Sequence, residues 1–505
     1  MSPTVIDDTV KEILTSRVYE VAEVSPLTKA SKLSDVANCT AFLKREDLQP
    51  VHSFKLRGAY NKIAQLTKAE QSKGVIAASA GNHAQGVALA AQKLGLSALI
   101  VMPRTTPPIK IDAVKSYGAE VELAGDSYSD AADYCKQRVK ETGRTYIHPF
   151  DDPLVIAGQG TVGQEILEQL PTVTHIFVPV GGGGLLAGIA TYVKAIRPDV
   201  KVISVEPADS NAMQASIEQE QRVTLPHVGI FADGVAVKQV GTRTLDAARQ
   251  HVDDFITVTT DQMCAAIKTI FEDTRSIVEP AGALAAAGMT HYGLPEHAHA
   301  VAICSGANVT FERLQQIAER TLIGSGKEAM FAVTMPETAG ALHTFCRDVI
   351  SGHNISEFNY RLRGREVAHI LVGINVSGKA DKQRFMAKMN QHGYAHTDLS
   401  NDDLTKEHLR HMIGSSKVAP HELVYEVTFP ERPRALSDFL ESIGSSWNIS
   451  LFHYRSAASD SGSVLVGFET DDRGSIEQQL VKTGLEFTEV AHTPGFKLLV
   501  AGTTK

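Results

Sequence analysis

The sequence has no cluster of basic residues, no apolar run of membrane-spanning length and no closely spaced cysteine pair. Its 505 residues include 49 Lys and Arg against 58 Asp and Glu, a formal net charge of −9. Because phosphate contacts require clustered cations, no nucleic-acid partner is expected. The N-terminal segment MSPTVIDDTVKEIL has early acids and no apolar stretch of the kind that a signal peptide needs. With apolar runs too short to span a bilayer, the sequence predicts a cytoplasmic protein without membrane attachment.

The five cysteines are scattered along the chain: Cys39, Cys135, Cys264, Cys304 and Cys346. An odd number without CxxC spacing favours reduced, mostly buried thiols over a disulfide framework or a zinc site. Hydrophobic residues make up 43% and charged residues 21% of the chain, which is typical of globular proteins. The length corresponds to roughly three to four domains.

Between residues 40 and 325, short apolar runs alternate with segments of helical spacing. The runs include GVIAAS (74–79), ALIVM (98–102), AEVELA (119–124), THIFVPV (174–180) and HAVAICS (299–305). Buried strands alternating with helices indicate an α/β fold with parallel sheets covered on both faces. The spacing predicts two such units, a small one over about 45–150 and a large one over about 1–44 and 151–327.

The rest of the chain contains an internal repeat. TMPETAGAL (334–342) matches TFPERPRAL (428–436), and NISEFNYR (354–361) matches NISLFHYR (448–455) at the same offset of 94 residues. Two independent matches at one offset indicate a duplicated structural unit. The residue pattern in each copy predicts a strand, a turn, a helix and a further strand. We therefore expect two small α+β units, divided near 412–420.

Two motifs in the small unit combine small, polar and cationic residues. In SFKLRGA, Lys55 lies between Phe54 and Leu56, and a lysine that forms a Schiff base needs a neutral amine. On these residues alone, an ordinary surface lysine is the better interpretation. In ASAGNHAQG (78–86), small residues before a helix suit a bound carboxylate. Asn82 is equally suited to bind a phenolic oxygen or to cap the helix.

Three further motifs follow predicted strands or begin helices. Four glycines in GGGGL (181–185) favour a phosphate cradle of backbone N–H groups over a flexible turn, and they lack the spacing of a nucleotide-binding loop. In CSGAN, Ser305 would bind a heterocyclic nitrogen or cap the next helix. In VEPAGA, a capping role is the default for Glu279.

The motifs and their order resemble the serine/threonine dehydratase branch of the fold-type II pyridoxal-phosphate (PLP) enzymes. These motifs are SFKLRGA, SAGNH, GGGGL, EPAGA and CSGAN. The duplicated tail resembles the paired ACT-like effector domains of biosynthetic threonine deaminases. The resemblance implies a catalytic domain like the tryptophan synthase β subunit over 1–327. ACT-like regulatory domains over 328–412 and 420–505 would follow it.

The resemblance also implies roles for individual residues. Lys55 would hold PLP through a Schiff base and act as the base at the substrate α-carbon. The other cofactor contacts would be Phe54, Asn82, Gly181, Gly182, Gly183, Gly184, Leu185, Gly234, Glu279 and Ser305. The substrate carboxylate would be framed by Ser79, Ala80, Gly81 and His83. Tyr360 and Tyr454 would line effector pockets where the two ACT-like units meet.

The implied activity is that of a threonine ammonia-lyase, which converts L-threonine to 2-oxobutanoate and ammonia in the first step of isoleucine biosynthesis. Some activity on L-serine is expected, with isoleucine as inhibitor and valine as activator of a homotetramer. Ala80 stands where serine racemases carry a second serine, so racemisation would lack its second proton carrier. VEPADSNAM retains Glu206 but not the second acid of those enzymes' metal site, so no metal is expected.

Two other interpretations differ from this one in a single feature each. A degradative serine/threonine dehydratase would have no need of the duplicated tail. A catalytically silent amino-acid sensor would have no need of Lys55. A visible absorbance band that is lost on borohydride treatment, with 2-oxo acid formed from threonine, would distinguish the three.

Overall fold

The computed structural model describes residues 8–125, 128–229, 231–311, 313–361, 366–402, 405, 421–430, 435–444, 447–455 and 461–490. The chain divides between Thr321 and Leu322 into two compact units, and each is described by itself. Among the described residues, no helix has the length and apolar character that crossing a membrane requires.

The first unit alternates strands and helices. Its strands are β1 (Leu27–Lys29), β2 (Thr40–Arg45), β3 (Val75–Ala78), β4 (Ala98–Met102), β5 (Glu120–Leu123), β6 (Thr145–Tyr146), β7 (His175–Pro179), β8 (Lys201–Pro207), β9 (Asp254–Val258) and β10 (His299–Cys304). Its helices are α1 (Asp8–Leu14), α2 (Ser31–Ala37), α3 (Lys55–Ala64), α4 (Lys68–Lys73), α5 (Asn82–Leu94), α6 (Pro108–Ser116), α7 (Tyr128–Thr142), α8 (Pro153–Gln169), α9 (Gly184–Ile196), α10 (Ala212–Glu218), α11 (Thr242–His251), α12 (Thr260–Thr274), α13 (Pro280–His291) and α14 (Arg313–Gly324). Single 3₁₀ turns are Val18–Glu20, Glu46–Leu48 and Asp233–Val235.

These strands form two sheets. The larger has the order β1-β2-β10-β7-β8-β9 and is parallel except for β1. The smaller, β5-β4-β3-β6, is parallel throughout. The runs VIAA and ALIVM are buried at every position of β3 and β4, as expected of strands covered on both faces. The predicted α/β fold with two parallel-sheet units is confirmed.

Helix α3 packs against α5 on one side and α8 on another. Its Gly58 faces Gly158 of α8, where an added Cβ on Gly158 would lie 2.7 Å from the Gly58 Cα. On another side, a Cβ on Gly86 of α5 would lie 3.0 Å from the backbone nitrogen of Leu56. Glycines at these contacts let three helices approach closely, and this packing fixes the beginning of α3, where Lys55 lies.

The second unit contains the two repeat copies. Its strands are β11 (Glu328–Pro336), β12 (Ile355–Arg361), β13 (Val367–Asn375), β14 (Ala395–Asp398), β15 (Glu422–Pro430), β16 (Asn448–Arg455), β17 (Ser461–Glu469) and β18 (Phe487–Glu489). Its helices are α15 (Ala341–Phe345), which continues as a π-helical turn over Cys346–Ile350, α16 (Lys379–Gln391), α17 (Ala435–Ile443) and α18 (Arg473–Thr483).

All eight strands belong to one antiparallel sheet, in the order β14-β11-β13-β12-β16-β17-β15-β18. The copies join through β12 and β16, where Phe358 pairs with Tyr454 and Tyr360 pairs with Phe452. This register is symmetric, because each Phe–Tyr pair becomes the other when the copies are exchanged. The regulatory α+β architecture is thus confirmed, with a single sheet shared by both copies. The predicted division between the copies, 412–420, lies outside the described residues.

Candidate active site

The candidate site lies at the carboxyl ends of strands from both sheets, where ligands bind in open α/β folds. The segment 79–83 follows β3, the tetraglycine follows β7 and Ser305 follows β10. An antiparallel bridge between Ser53 and Gly306 ties the segment before Lys55 to the end of β10. Motifs far apart in sequence therefore meet in one cleft of the first unit.

Lys55 is the first residue of α3, and its side chain is only partly exposed. Its Nζ donates to the Pro149 carbonyl at 3.1 Å and lies 5.3 Å from the centroid of the Phe54 ring. Burial lowers the pKa of Lys55 to about 8, although the Glu279 carboxylate opposes this shift. About a tenth of the amine is thus uncharged at pH 7, far more than for an ordinary lysine, and a nucleophilic or basic lysine requires this neutral form.

The segment 79–83 joins β3 to α5. The Gly81 N–H donates to Ser79 Oγ at 3.3 Å, and the N–H groups at the beginning of α5 have no intrahelical acceptor. His83 Nε2 lies 2.9 Å from the Ile147 carbonyl, to which it donates as a neutral ring. Burial, assisted by Lys55, lowers the pKa of His83 to about 3. The segment therefore offers backbone N–H donors to a carboxylate, including that of His83, whose neutral ring already bonds the Ile147 carbonyl. Ala80 adds no polar group.

Asn82 and Glu279 are directly bonded, with 2.6 Å between Asn82 Nδ2 and Glu279 Oε1. Neither caps a helix through its side chain, so the capping interpretation does not hold for either residue. Asn308 donates to Asn82 Oδ1 at 2.7 Å and to the Val51 carbonyl at 2.9 Å. Asn308 was missed in the sequence, although it is the last residue of the CSGAN motif. It orients the Asn82 amide so that its NH₂ group points at Glu279.

The surroundings of Glu279 are unusual for a carboxylate. Burial and the nearby Asp233 raise the pKa of Glu279 to about 7, which the Asn82 amide partly offsets. A Cβ on Gly306 would lie 2.6 Å from Glu279 Oε1, and one on Gly234 would lie 3.4 Å from it. Both glycines therefore leave room beside this carboxyl group.

The tetraglycine forms a tight turn into α9, in which Gly183 adopts a φ of 93°. Added Cβ atoms would lie 2.8 Å from the Val235 Cα at Gly181, 2.2 Å from the Phe150 ring at Gly182, and 3.0 Å from the Phe150 Cα at Gly184. Only glycine fits this turn, and Leu185 begins the buried face of α9. The turn places backbone N–H groups at a helix N-terminus, which suits a phosphate monoester.

Ser305 is buried, and its hydroxyl donates to the Ala281 carbonyl at 3.2 Å. It caps no helix, because the next helix begins at Arg313. A reactive amine, a glycine cradle, an amide and a neutral hydroxyl thus surround one cleft. This donor set fits the aldehyde, phosphate, phenolic oxygen and ring nitrogen of PLP.

Glu206 lies at the end of β8 and is fully buried. Its carboxylate accepts from the Met213 and Gln214 N–H groups, both at 2.8 Å, at the beginning of α10. Burial raises the pKa of Glu206 to about 8, and these two N–H donors offset part of the shift. Within the described residues, no group of three or more His, Cys, Asp or Glu is arranged to hold a metal ion.

In the second unit, Tyr360 lines a cavity that is partly open to solvent. Its hydroxyl donates to both oxygens of Glu337, at 2.7 and 2.8 Å, and burial together with Glu337 raises the pKa of Tyr360. The wall is otherwise largely apolar and comes from both copies, including Leu342 and Ile370 of the first copy and Leu440, Trp447 and Ile449 of the second. Tyr454, which occupies the equivalent strand position, does not line this cavity.

Known proteins resemble both units. A family model described as "Pyridoxal-phosphate dependent enzyme" matches residues 19–306, and one described as "C-terminal regulatory domain of Threonine dehydratase" matches 319–409 and 414–500. A biosynthetic L-threonine dehydratase of Burkholderia multivorans is 47% identical over 98% of this chain and 99% of its own. A chloroplastic biosynthetic threonine dehydratase of Arabidopsis thaliana is 48% identical over 97% of this chain and 83% of its own. A solved structure of the processed form of threonine deaminase isoform 2 from Solanum lycopersicum is 48% identical, with a TM-score of 0.61 over 62% of this chain and 87% of that one.

Proposed function

The chain belongs to the biosynthetic threonine dehydratase family of PLP-dependent enzymes, and from that premise we propose that Lys55 is its catalytic centre. The enzyme is a threonine ammonia-lyase that converts L-threonine to 2-oxobutanoate and ammonia. The observation that carries the assignment of Lys55 is the placement of its amine, which donates to the Pro149 carbonyl at 3.1 Å and lies close enough to His83 to lower the pKa of that ring. The match of the regulatory-domain model to both copies argues against an unregulated degradative enzyme.

PLP would be attached at Lys55 and packed between Phe54 and Gly234. The tetraglycine and Leu185 would bind its phosphate, Asn82 its phenolic oxygen and Ser305 its ring nitrogen, with Glu279 beside the ring. When bound, the cofactor supplies the electron withdrawal that acidifies the substrate α-carbon. Ser305 is a neutral hydroxyl, which does not hold the ring nitrogen protonated as a carboxylate would. This moderates the electron withdrawal and favours elimination over transamination.

The chain's own residues orient the substrate and move its protons. The N–H groups at the beginning of α5, with Ser79, Gly81 and His83, would hold the substrate carboxylate. Lys55 would act as the base at the substrate α-carbon, and a pKa near 8 suits a base that works near neutral pH. Ala80 leaves the opposite face without a proton carrier, so elimination from threonine or serine would proceed without racemisation.

The test of this assignment is Lys55→Ala, with Lys93→Ala as the control because Lys93 is an exposed lysine of α5. Lys55→Ala should lose the visible absorbance of the lysine-bound cofactor and formation of 2-oxobutanoate, while its circular dichroism stays unchanged. Lys93→Ala should keep all three. Near-native turnover by Lys55→Ala would show that another group performs the proton transfer.

Regulation is proposed to act through the second unit, with isoleucine as inhibitor and valine as activator. The cavity at Tyr360 supports this, because it pairs the Glu337 carboxylate, suited to an ammonium group, with aliphatic and aromatic walls from both copies. Tyr454 is proposed to serve a second, equivalent pocket. Allosteric coupling is typically about 1–3 kcal/mol, or roughly 5–150-fold in affinity.

Isoleucine titrations of the wild type, Tyr360→Ala and Tyr454→Ala would test this regulation. Both variants should be desensitised while turnover at saturating threonine stays nearly unchanged. Tyr360→Phe removes only the hydroxyl that donates to Glu337 and isolates its contribution. Three coincident curves would place the effector pockets elsewhere, and a wild type that ignores isoleucine would contradict the regulatory assignment.

We further propose a cytoplasmic homotetramer in which residues 1–327 form the catalytic domain, and 328–412 and 420–505 the regulatory domains. Light scattering coupled to size-exclusion chromatography would measure the assembly. A mass corresponding to a monomer or dimer across the working concentration range would contradict the tetramer.

A further inference from the structure

Phe150 lies in a short segment between β6 and α8 that touches two parts of the candidate site. The carbonyl of the preceding Pro149 accepts from Lys55 Nζ at 3.1 Å. The Phe150 ring lies against the tetraglycine, 2.2 Å from where a Cβ on Gly182 would be. The segment therefore contacts the Lys55 amine through the Pro149 carbonyl and the glycine turn that suits a phosphate through the Phe150 ring.

The segment is held rigidly from both sides. His148 Nδ1 accepts from the backbone N–H of Phe150 at 3.2 Å and of Asp151 at 2.8 Å, and the His148 ring meets the Phe150 ring edge-on with 4.7 Å between centroids. The Asp151 carboxylate accepts from the Thr242 and Arg243 N–H groups, both at 3.0 Å, at the beginning of α11. A wall fixed in this way can discriminate between ligands by shape, since it cannot move aside at low cost.

The Phe150 ring is only partly buried despite these contacts, so part of its apolar surface remains exposed. In PLP, the reactive aldehyde carbon lies between the phenolic oxygen on one flank and the phosphate arm on the other. If Asn82 binds the phenolic oxygen and the 79–83 segment the substrate carboxylate, the first flank is taken. The substituents on the substrate β-carbon would then extend towards the phosphate arm, beside the tetraglycine against which the Phe150 ring packs.

We propose that Phe150 is a specificity-determining residue whose ring receives the β-methyl group of threonine. Serine has the same hydroxyl, carboxylate and amine but leaves this apolar surface without a methyl contact. This inference rests on the proposed function. It adds a residue that would make the enzyme prefer threonine to serine. A hydrophobic site typically distinguishes ligands that differ by one methylene by about 10–200-fold. Because Phe150 would contact the methyl group from one side only, we expect a preference at the lower end of that range.

The test compares kcat/KM for L-threonine and L-serine in the wild type, Phe150→Ala and Phe150→Leu. Phe150→Ala should reduce the threonine-to-serine ratio about tenfold, mainly through threonine. Phe150→Leu keeps an apolar wall and should stay within about threefold of the wild type. The control is Phe42→Leu, because Phe42 is a partly buried phenylalanine of β2 outside the site.

A binding measurement separates recognition from turnover. L-2-Aminobutyrate and L-alanine differ by the same methyl group and carry no leaving hydroxyl. Their dissociation constants can be measured from the change in absorbance of the bound cofactor. Phe150→Ala should lose the preference for 2-aminobutyrate by a factor similar to that seen in kcat/KM.

Equal losses for threonine and serine, or an unchanged preference for 2-aminobutyrate, would show that the ring only supports the glycine turn and would overturn the proposal. If Phe150→Ala does not bind cofactor, Phe150→Val provides the same comparison with a smaller apolar wall, and an unchanged ratio there overturns it equally. A wild type that does not turn over threonine would contradict the proposed function itself.

Discussion

Arg57, two residues after Lys55, is the centre of a buried charge network. Its guanidinium donates to Glu46 through Nε and Nη2, both at 2.8 Å, and to Glu165 through Nη1 at 2.6 Å. Lys44 also bonds Glu165, with Nζ at 2.6 Å from Oε2. All four side chains are at most 1% exposed. We expect Arg57→Met to be strongly destabilising, because it leaves buried carboxylates without their main cation.

The size of the destabilisation by Arg57→Met depends on the contacts that the two carboxylates keep. Without Arg57, Glu165 keeps its direct bond to Lys44. Glu46 keeps the side-chain hydrogen bond from the Ser25 hydroxyl, at 2.6 Å, and a longer-range interaction with Lys44. Glu46 is thus left without a directly bonded cation, and breaking a buried pair in this way costs about 3–5 kcal/mol. The second change Glu46→Gln removes that charge and should restore part of the loss. If the stability losses of Arg57→Met and Glu46→Gln simply add in the double variant, this account is wrong.

The pH dependence follows from Glu46. Burial raises the pKa of Glu46, but the Arg57 guanidinium outweighs it and holds the pKa below its usual range. In the wild type this pair contributes stability above the unfolded pKa of about 4.3, and the contribution is lost as the pH falls through the folded pKa. Without Arg57, burial is opposed only by the Ser25 hydroxyl and the Lys44 charge, so Glu46 takes up a proton at higher pH. The difference in stability between wild type and Arg57→Met should therefore be smaller at pH 5 than at pH 8.

Urea unfolding of the full-length holoenzyme, followed by far-UV circular dichroism and cofactor absorbance, measures this loss. The single tryptophan, Trp447, belongs to the second unit, so its fluorescence reports whether that unit is unaffected. The control is Arg197→Met, which removes an exposed bidentate pair with Asp199 and should have little effect. Equal losses in both variants would refute the special weight given to the buried network.

Three further expectations follow from the site. Because Glu279 raises the pKa of Lys55, Glu279→Gln should shift the pH midpoint of PLP uptake by the cofactor-free enzyme below about 8, and an unshifted midpoint would contradict their coupling. Gly182→Ala places a methyl group 2.2 Å from an aromatic ring, so equilibrium dialysis should show PLP affinity reduced about tenfold; Gly474→Ala, where the added Cβ has ordinary contacts, is the control. Because Ala80 supplies no proton, L-serine should give pyruvate with negligible D-serine, and chiral chromatography showing comparable amounts would refute this.

The candidate site residues that the sequence indicated are mostly those in motifs at the ends of strands. Glycines, asparagine and serine placed after apolar runs identify turns at the carboxyl ends of parallel strands, and such turns meet at one edge of the sheet. Asn308 and Phe150 escaped this reasoning for a physical reason. Asn308 acts on Asn82, 226 residues away, and Phe150 follows a two-residue strand in a segment without glycine. Local periodicity in the sequence does not indicate which distant residues Asn308 and Phe150 will contact.

In the regulatory unit, too, the sequence did not predict which distant segments contact each other. The repeat offset predicted two equivalent copies, and both are present as α+β units. It did not predict that β12 and β16 pair to make one sheet. Each of these strands would otherwise expose an edge with free N–H and C=O groups, and pairing the two edges removes this liability. A pattern of alternating hydrophobicity describes the faces of a strand but not the neighbour at its edge.

The electrostatic state of the site also arises from packing. Burial acts against every charged form, so one environment lowers the pKa of Lys55 to about 8, lowers that of His83 to about 3 and raises that of Glu279 to about 7. The three shifts together keep His83 neutral and bring the acid and the amine to within about one pH unit of each other. Groups poised in this way can exchange protons with a substrate near neutral pH. No residue type in SFKLRGA or EPAGA encodes these pKa shifts by itself, because they arise only when the fold buries the three groups near one another.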